Sequence, residues 1–384
     1  MHFMKYGKGY EIMGKFLSAR FRNKDGYHLG ERSRDRSIIK LNANESPFSP
    51  SPEALASVTK GLLAEQNFYS DPKCRELTKA AAENYGVNAD EVFADSGSDV
   101  VLSYCMLAFG SGGCGFCFPD VTYAFYKTFS DFFGIPYTEI PVKADFSIRA
   151  EDYCRCERHV LLANPNAPSG LVLDTEQIER IVESNPDRLV IIDEAYVDYK
   201  NESCVPLIRR HKNLIVVQTM SKSRSLAGAR VGLAFSAAEN IQDLATMKAA
   251  FNPDSINSVS EAMGCAAIKD RQYMRECVEK IIFTREKTRE ALLARGFQVL
   301  ESHTNFLFFK PPYIPAEEFY IRMKERGVLV RHYCQPRISD YVRMTIGSEE
   351  QMKEVISRID SVLYRYPAVF GRESIGIQAR VNEK

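Results

Sequence analysis

Between residues 92 and 235, short apolar runs alternate with stretches of helical periodicity. The runs are Val92-Phe93-Ala94, Gly115-Phe116-Cys117-Phe118, Tyr137-Thr138-Glu139-Ile140, Val160-Leu161-Leu162-Ala163, Leu189-Val190-Ile191-Ile192, Leu214-Ile215-Val216-Val217 and Val231-Gly232-Leu233-Ala234-Phe235. Several lack the apolar–polar alternation of a half-exposed strand, which predicts strands buried on both faces. Helical patterns at 100–109, 123–133, 175–183 and 207–211 fall between most of them. This order predicts an α/β domain with a mostly parallel sheet. The last two runs are joined too tightly for a crossover helix, so one strand is predicted to be antiparallel.

The flanks read differently. Residues 1–36 form a polar arm, and Ile38-Ile39-Lys40-Leu41-Asn42 is an extended segment closed by Pro47, Pro50 and Pro52. Helices are predicted over 52–60 and over 75–85, the second ended by Gly86. A long helical stretch, 255–295, leads into a second lobe. That lobe holds the runs Phe306-Leu307-Phe308-Phe309, Val328-Leu329-Val330 and Tyr341-Val342-Arg343-Met344-Thr345, with helices at 316–326 and 349–364. The expected division is an arm (1–40), a large domain (41–265, with 41–52 partly shared with the smaller one), a small α+β domain (266–370) and a loose tail (371–384).

Composition narrows the class. A chain of 384 residues with 45% hydrophobic residues has room for two domains. Lys+Arg and Asp+Glu are each 50, and that balance argues against a dedicated nucleic-acid or membrane-surface binder. No apolar stretch reaches the length of a membrane span, and the N-terminal residues lack the apolar segment of a secretory signal. Ten cysteines without a repeating framework fit a reducing, cytoplasmic setting. Cys114-x-x-Cys117 has metal-like spacing but no second pair, so no metal site is expected. Gly110-x-Gly112-Gly113 follows a helical run rather than a strand, which makes it a poor dinucleotide fingerprint.

Ligands of open α/β sheets gather at the carboxyl ends of the strands, and several runs end in polar clusters. The run at 214–217 feeds Ser221-Lys222 and then Leu226-Ala227-Gly228-Ala229-Arg230. A lysine at the end of a buried strand is poorly solvated, which disfavours its ammonium form. The neutral amine can form a Schiff base with a carbonyl compound such as pyridoxal phosphate. Arg230 is always cationic and suits a phosphate. Ser96-Gly97-Ser98-Asp99 opens a helix, where backbone N–H groups can hold an anion or where Ser or Asp simply caps. Asp193 ends a strand and is placed either to pair with a protonated heterocyclic nitrogen or to cap. Asn164-Pro165-Asn166-Ala167-Pro168-Ser169-Gly170 is a stiff turn that either aims an amide or only connects. Tyr123 is a candidate to stack on a ring or to fill the core. Arg331 and Arg343 face either a cleft or solvent. His303 and His332 are read as bystanders.

In order, from Leu41 to Ile359, these stretches resemble the fold-type I pyridoxal-phosphate-dependent aminotransferases, and within them the histidinol-phosphate aminotransferases. Leu41-Asn42-Ala43-Asn44-Glu45-Ser46-Pro47 and Tyr69-Ser70-Asp71-Pro72 resemble the family's opening motifs. The clusters above follow, then Asn305-Phe306-Leu307, Gly327-Val328-Leu329-Val330-Arg331 and Arg343-Met344-Thr345-Ile346-Gly347. The resemblance implies a mostly parallel seven-stranded sheet in a large domain, a smaller α+β domain, pyridoxal phosphate as cofactor, and no metal.

The resemblance also implies roles. Lys222 would carry the cofactor and shuttle a proton. Asp193 would pair with the pyridine nitrogen, Tyr196 would bond the phenolic oxygen, and Tyr123 would stack on the ring. Ser98, Asp99, Thr219, Ser221 and Arg230 would hold the phosphate. Tyr69 would reach the neighbouring subunit's cofactor, which implies a homodimer with shared sites. Arg331 and Arg343, with Tyr27 from the arm, would bind the substrate's anionic group. The partners implied are a small amino donor and an oxo-acid acceptor. The expected reaction is amino transfer between histidinol phosphate and 2-oxoglutarate. Aromatic aminotransferases and threonine-phosphate decarboxylases share much of the pattern, and a nucleotide-binding module on the same fold is a third reading. Three departures stand out. Ala167 replaces the second Asn of the family's turn, which usually touches the phenolic oxygen, and leaves Asn166 to substitute for it. Ser169 replaces the usual Thr, and Val100 replaces a frequent Glu.

Overall fold

The computed structural model describes residues 15–22, 24, 26, 30–31, 35, 37–200 and 202–364. Tyr27, residues 1–14 of the arm and the tail at 371–384 lie outside the described residues. All seven apolar runs of the middle region become strands of one seven-stranded sheet. From one edge to the other they are Val92–Asp95, Gly232–Phe235, Leu214–Thr219, Val190–Asp193, His159–Ala163, Phe116–Pro119 and Tyr137–Ile140. Gly232–Phe235 runs against both of its neighbours, and every other pairing that does not involve it is parallel.

Side chains alternate across this sheet, as the pleat requires. Leu214 and Val216 join one buried cluster, with Ile178, Ile181 and Leu77, while Ile215 and Val217 join another on the opposite face, with Leu102, Met106 and Leu244. Both faces are therefore covered by helices, which explains the unbroken apolar runs.

The register decides where chemistry collects. Thr219 and Asp95 both stand opposite Gly232, Ala163 stands opposite Asp193, and Asp193 stands opposite Val217. The carboxyl ends of four strands and the amino end of the antiparallel one thus share an edge.

The second core is built on an antiparallel four-stranded sheet, in the order Arg331–His332, Val342–Thr345, Phe306–Lys310 and Gln298–Val299. Ile39–Lys40 pairs in parallel with Val328–Leu329 nearby. This brings the segment just after residue 40 against the second sheet, where Thr345 N–H donates to the Leu41 carbonyl.

Several helices differ from expectation. The stretch at 255–295 is two helices, Ser258–Lys269 and Arg271–Leu293, because the Asp270 side chain takes the Tyr273 N–H and caps the second. The stretch at 52–60 likewise splits into Pro52–Ala56 and Lys60–Ala64, with Thr59 capping the latter through Leu62 N–H. The 207–211 pattern is a 3₁₀ turn, Val205–Arg209, with Pro206 at its start. The helix Ala238–Phe251 has no counterpart in the sequence reading. Its fully buried positions are Ile241, Leu244 and Lys248 only, too thin a stripe to stand out as a periodic pattern.

Lys248 is itself a structural group. Its Nζ lies 3.8 Å from the wholly buried Asp95 carboxylate and donates to the Ala94 carbonyl at 3.2 Å. Removing one partner of a buried pair leaves the other charge uncompensated. Lys248→Met is expected to lower unfolding free energy by about 3 kcal/mol, the usual size of such a loss. Urea denaturation followed by circular dichroism measures it.

Candidate active site

Asp193 is the last residue of its strand and is 4% exposed. The Tyr126 hydroxyl donates to its Oδ2 at 2.7 Å and the Ala195 N–H to its Oδ1 at 3.1 Å. Burial, reinforced by the nearby Asp99 charge, pushes the Asp193 carboxyl up to about 6, against the pull of these two donors and of Lys222. Both donors are neutral, so a cation at this carboxylate would restore its charged form. The adjacent Glu194 points to other partners: Ser203 Oγ, the Cys204 N–H and Gln218 Nε2 bond it at 2.6, 2.6 and 2.7 Å. It is a fully satisfied buried acid.

Lys222 lies just beyond the next strand, Leu214–Thr219. Its Nζ donates to the Ala43 carbonyl at 3.4 Å and stands 5.9 Å from the centre of the Tyr196 ring. Burial first, then the Arg343 and Arg230 charges, bring the amine down from the ordinary 10.5 to about 8, while Asp99 and Glu45 oppose the shift. A substantial neutral fraction is therefore present near neutral pH. Asp193 feels the charges of Asp99 and Lys222, and Lys222 feels that of Asp99, so the three stand near one another at the sheet edge.

The sheet edge also builds a cradle. Gly97, at φ +88, precedes the helix Ser98–Gly110, and a Cβ on Gly232 would stand 2.4 Å from Gly97 C and Ser98 N. Only a bare backbone at 232 lets this turn lie flat against its neighbour. Arg230, at φ +54, donates from Nη2 to Asp99 Oδ2 at 3.0 Å, and the Tyr123 hydroxyl donates to Asp99 Oδ1 at 3.0 Å. Thr219 Oγ1 donates to Ser221 Oγ at 3.0 Å and accepts the Ser221 N–H at 3.2 Å. The Ser98 helix start, Arg230, Thr219 and Ser221 thus meet around one turn, as an anion site requires.

Tyr196 is buried, with its ring edge-on to Phe306 at 5.3 Å and its hydroxyl bonded by Asn44 Nδ2 at 2.7 Å. Arg331 and Arg343 stand directly opposite each other on adjacent antiparallel strands. Their guanidinium carbons lie 5.8 and 6.0 Å from the Tyr333 ring centre, and Arg343 Nη2 donates to the Asn42 carbonyl.

Two predicted residues differ from the others in their surroundings. Asn166 is buried with its amide engaged by protein: Nδ2 donates to the Val121 carbonyl and to Ser169 Oγ, and Oδ1 accepts from Thr122 Oγ1. Ala167 lies in the same apolar cluster as Tyr196. Tyr69 is 88% exposed. Tyr126, Asn44 and Tyr333 were not assigned roles from sequence. Tyr126 follows Tyr123 by one helical turn, a spacing that puts both on one face, and Asn44 lay within the quoted opening motif.

Comparison with known proteins agrees with this geometry. Residues 36–359 match the family model for aminotransferase class I and II. The chain belongs to that family. It is 41% identical over 352 residues to the histidinol-phosphate aminotransferase of Brachyspira hyodysenteriae, covering 91% of this chain and 99% of that one. Among solved structures, the histidinol-phosphate aminotransferase of Clostridium acetobutylicum aligns with TM-score 0.79 at 21% identity, over 85% of this chain and 100% of that one. That of Sinorhizobium meliloti in complex with pyridoxal 5′-phosphate aligns with TM-score 0.77 at 22% identity, over 85% and 91%.

The enzyme is a pyridoxal-phosphate-dependent aminotransferase of fold type I, acting on small molecules. The residues present fit that cofactor. A poorly solvated lysine, a buried carboxylate with only neutral donors and a glycine-lined turn lie along one edge of the sheet. Bound there, the cofactor supplies an electron sink for the substrate's carbon. Among the described residues, no helix is long and apolar enough to cross a membrane.

The lysine makes a pH prediction. Its folded value lies below the ordinary one, so the reactive neutral amine grows as pH rises and reaches half at about 8. Covalent capture of pyridoxal phosphate by cofactor-free enzyme should accelerate with a midpoint near pH 8, followed by stopped-flow absorbance. A midpoint near that of a solvated lysine would contradict the geometry.

Proposed function

We propose that the enzyme exchanges an amino group between histidinol phosphate and 2-oxoglutarate, giving imidazole-acetol phosphate and glutamate, a step of histidine biosynthesis. The observation that carries this reading is the opposed pair Arg331 and Arg343. Like charges directly opposite on neighbouring strands repel, and an anion bound between them turns that cost into attraction. Arginine grips phosphate and carboxylate in the same bidentate way, so the pair suits a phosphorylated substrate and its carboxylate-bearing counterpart in alternation. The 41% identity to a protein of that name supports the same choice. Tyr27, outside the described residues, is proposed to help bind this anion.

At this edge, Lys222 is assigned the covalent attachment and the proton transfer at the substrate carbon. Asp193 would hold the ring nitrogen's proton, with Tyr126 fixing the carboxylate. Tyr123 would lie against the ring and Tyr196 would donate to the phenolic oxygen. The Ser98 and Asp99 amides, Thr219, Ser221 and Arg230 would hold the phosphate. Asn166 is assigned to the turn, since its amide is already bonded to Val121 and Ser169. The large sheet is assigned to a cofactor domain (41–265) and the four-stranded sheet to a smaller domain from 266.

The working unit is proposed to be a homodimer in the cytoplasm. Tyr69 at 88% exposure follows Phe68 at 72% directly in the chain. Adjacent exposed aromatic groups suit an interaction surface. Tyr69 would then complete the site of the partner subunit.

A panel of amino donors tests the substrate. Histidinol phosphate should exceed phenylalanine, which leaves the anion site unpaired, by about 10⁴-fold in kcat/KM, the scale at which unpaired polar groups reject an analogue, and should also exceed threonine phosphate. Phenylalanine winning would make it an aromatic aminotransferase, and carbon dioxide release from threonine phosphate would make it a decarboxylase. Subunit mixing tests the dimer. Lys222→Ala and Tyr69→Ala are each expected to be nearly inactive, and the re-formed mixture should recover about a quarter of wild-type activity, one intact site per hybrid dimer. A mixture no better than its parents would remove Tyr69 from the shared site.

A further inference from the structure

Asn44 occupies a place that its motif alone does not explain. It is 2% exposed and sits at φ +54. Its backbone is pinned on both sides, with its N–H donating to Thr345 Oγ1 at 2.9 Å and its carbonyl accepting from Asn305 Nδ2 at 3.0 Å. Thr345 Oγ1 in turn donates to Asn44 Oδ1 at 3.2 Å. Thr345 has one hydroxyl hydrogen, and in this buried setting it needs that acceptor. The carbonyl side of the Asn44 amide is therefore committed to Thr345, and the NH₂ side faces the Tyr196 hydroxyl at 2.7 Å.

The direction of that bond has a consequence. A phenol has one hydrogen to give. Because Tyr196 Oη accepts from Asn44, its own hydrogen is free to point elsewhere, and a phenol that accepts one hydrogen bond donates a stronger one. The neighbouring turn offers no substitute. Residue 167 is an alanine in the same apolar cluster as Tyr196, and both Asn166 amide hydrogens are engaged by Val121 and Ser169.

We infer that Asn44 is a positioning residue for the cofactor, holding the Tyr196 hydroxyl as a polarised donor to the ring's phenolic oxygen in a chain that lacks an amide at 167. This rests on the assignment of pyridoxal phosphate to the Lys222 site. Thr345 and Asn305 belong to the second sheet and its approach, so Asn44 also ties the cofactor's phenolic edge to that sheet.

The readout is the pH titration of the visible absorbance of the Lys222-linked cofactor. A hydrogen bond to the phenolic oxygen withdraws negative charge from beside the linkage nitrogen, so weakening it raises that nitrogen's proton affinity. The charged groups around the lysine are Arg343, Asp99, Glu45 and Arg230, with Asp193 beside Tyr196. All are retained in the variants. Asn44→Gly removes the amide while keeping a residue that tolerates positive φ, and Asn44→Asp keeps the shape but replaces the donor by an acceptor.

Asn44→Gly should move the midpoint up by about half a unit to one unit, the contribution of one hydrogen bond, and Asn44→Asp further, because it adds a negative charge as well. Tyr196→Phe should move it at least as far, and Asn44→Gly should add nothing in the Tyr196→Phe background. Thermal unfolding with retained cofactor binding checks that each variant is folded. Wild-type midpoints in Asn44→Gly, or the same shift with and without the tyrosine hydroxyl, would overturn the inference. Failure of the wild-type protein to form a yellow, borohydride-trappable species at Lys222 would instead overturn the cofactor assignment, and the inference with it.

Discussion

Removal of water from the carboxyl edge of the seven-stranded sheet is the constraint on which the rest depends. The same burial disfavours charge on Lys222 and on Asp193, with opposite results. One group becomes a nucleophilic amine near neutral pH. The other becomes a carboxylate that gains from a cation placed against it. A ring with an electrophilic carbon at one edge and a basic nitrogen at the other answers both demands at once. Pairing the two groups directly would cancel them, and the structure sets them at or just beyond the ends of two different strands.

The antiparallel strand Gly232–Phe235 is what makes that edge an anion site as well. Inserted between Val92–Asp95 and Leu214–Thr219, it brings its amino end beside their carboxyl ends. Arg230 and the start of the Ser98–Gly110 helix then face the same space. Gly232 permits the contact because any side chain there would strike the backbone of Gly97 and Ser98. Beneath this turn, the buried Lys248–Asp95 pair anchors the end of the strand from which it springs.

The segment at 41–45 joins this edge to the second sheet. Its carbonyls meet Lys222, Arg343 and Asn305, and the Asn44 amide meets Tyr196. The second sheet, which carries Arg343, and the edge that carries Lys222 and Tyr196 thus share one short piece of chain.

Seven strands, the antiparallel turn between the last two, and the polar clusters at strand ends were all legible in the sequence. Doubly buried strands must be apolar throughout, and polar groups at their ends have few reasons to be there. The helix Ala238–Phe251 was not legible, because three buried positions leave little periodic signal. The breaks at Asp270 and Thr59 were hidden inside otherwise helical runs, since a cap is a local hydrogen bond and not a pattern. What the linear order determined by itself was which residues could do chemistry. Which of them meet was decided by the tertiary structure alone. Asn166 and Asn44 are both asparagines in conspicuous motifs, yet one is taken up by Val121 and Ser169 and the other faces Tyr196. An amide bonds whatever the fold brings within about 3 Å of it, and residues separated by more than a hundred positions meet only through the register of two sheets.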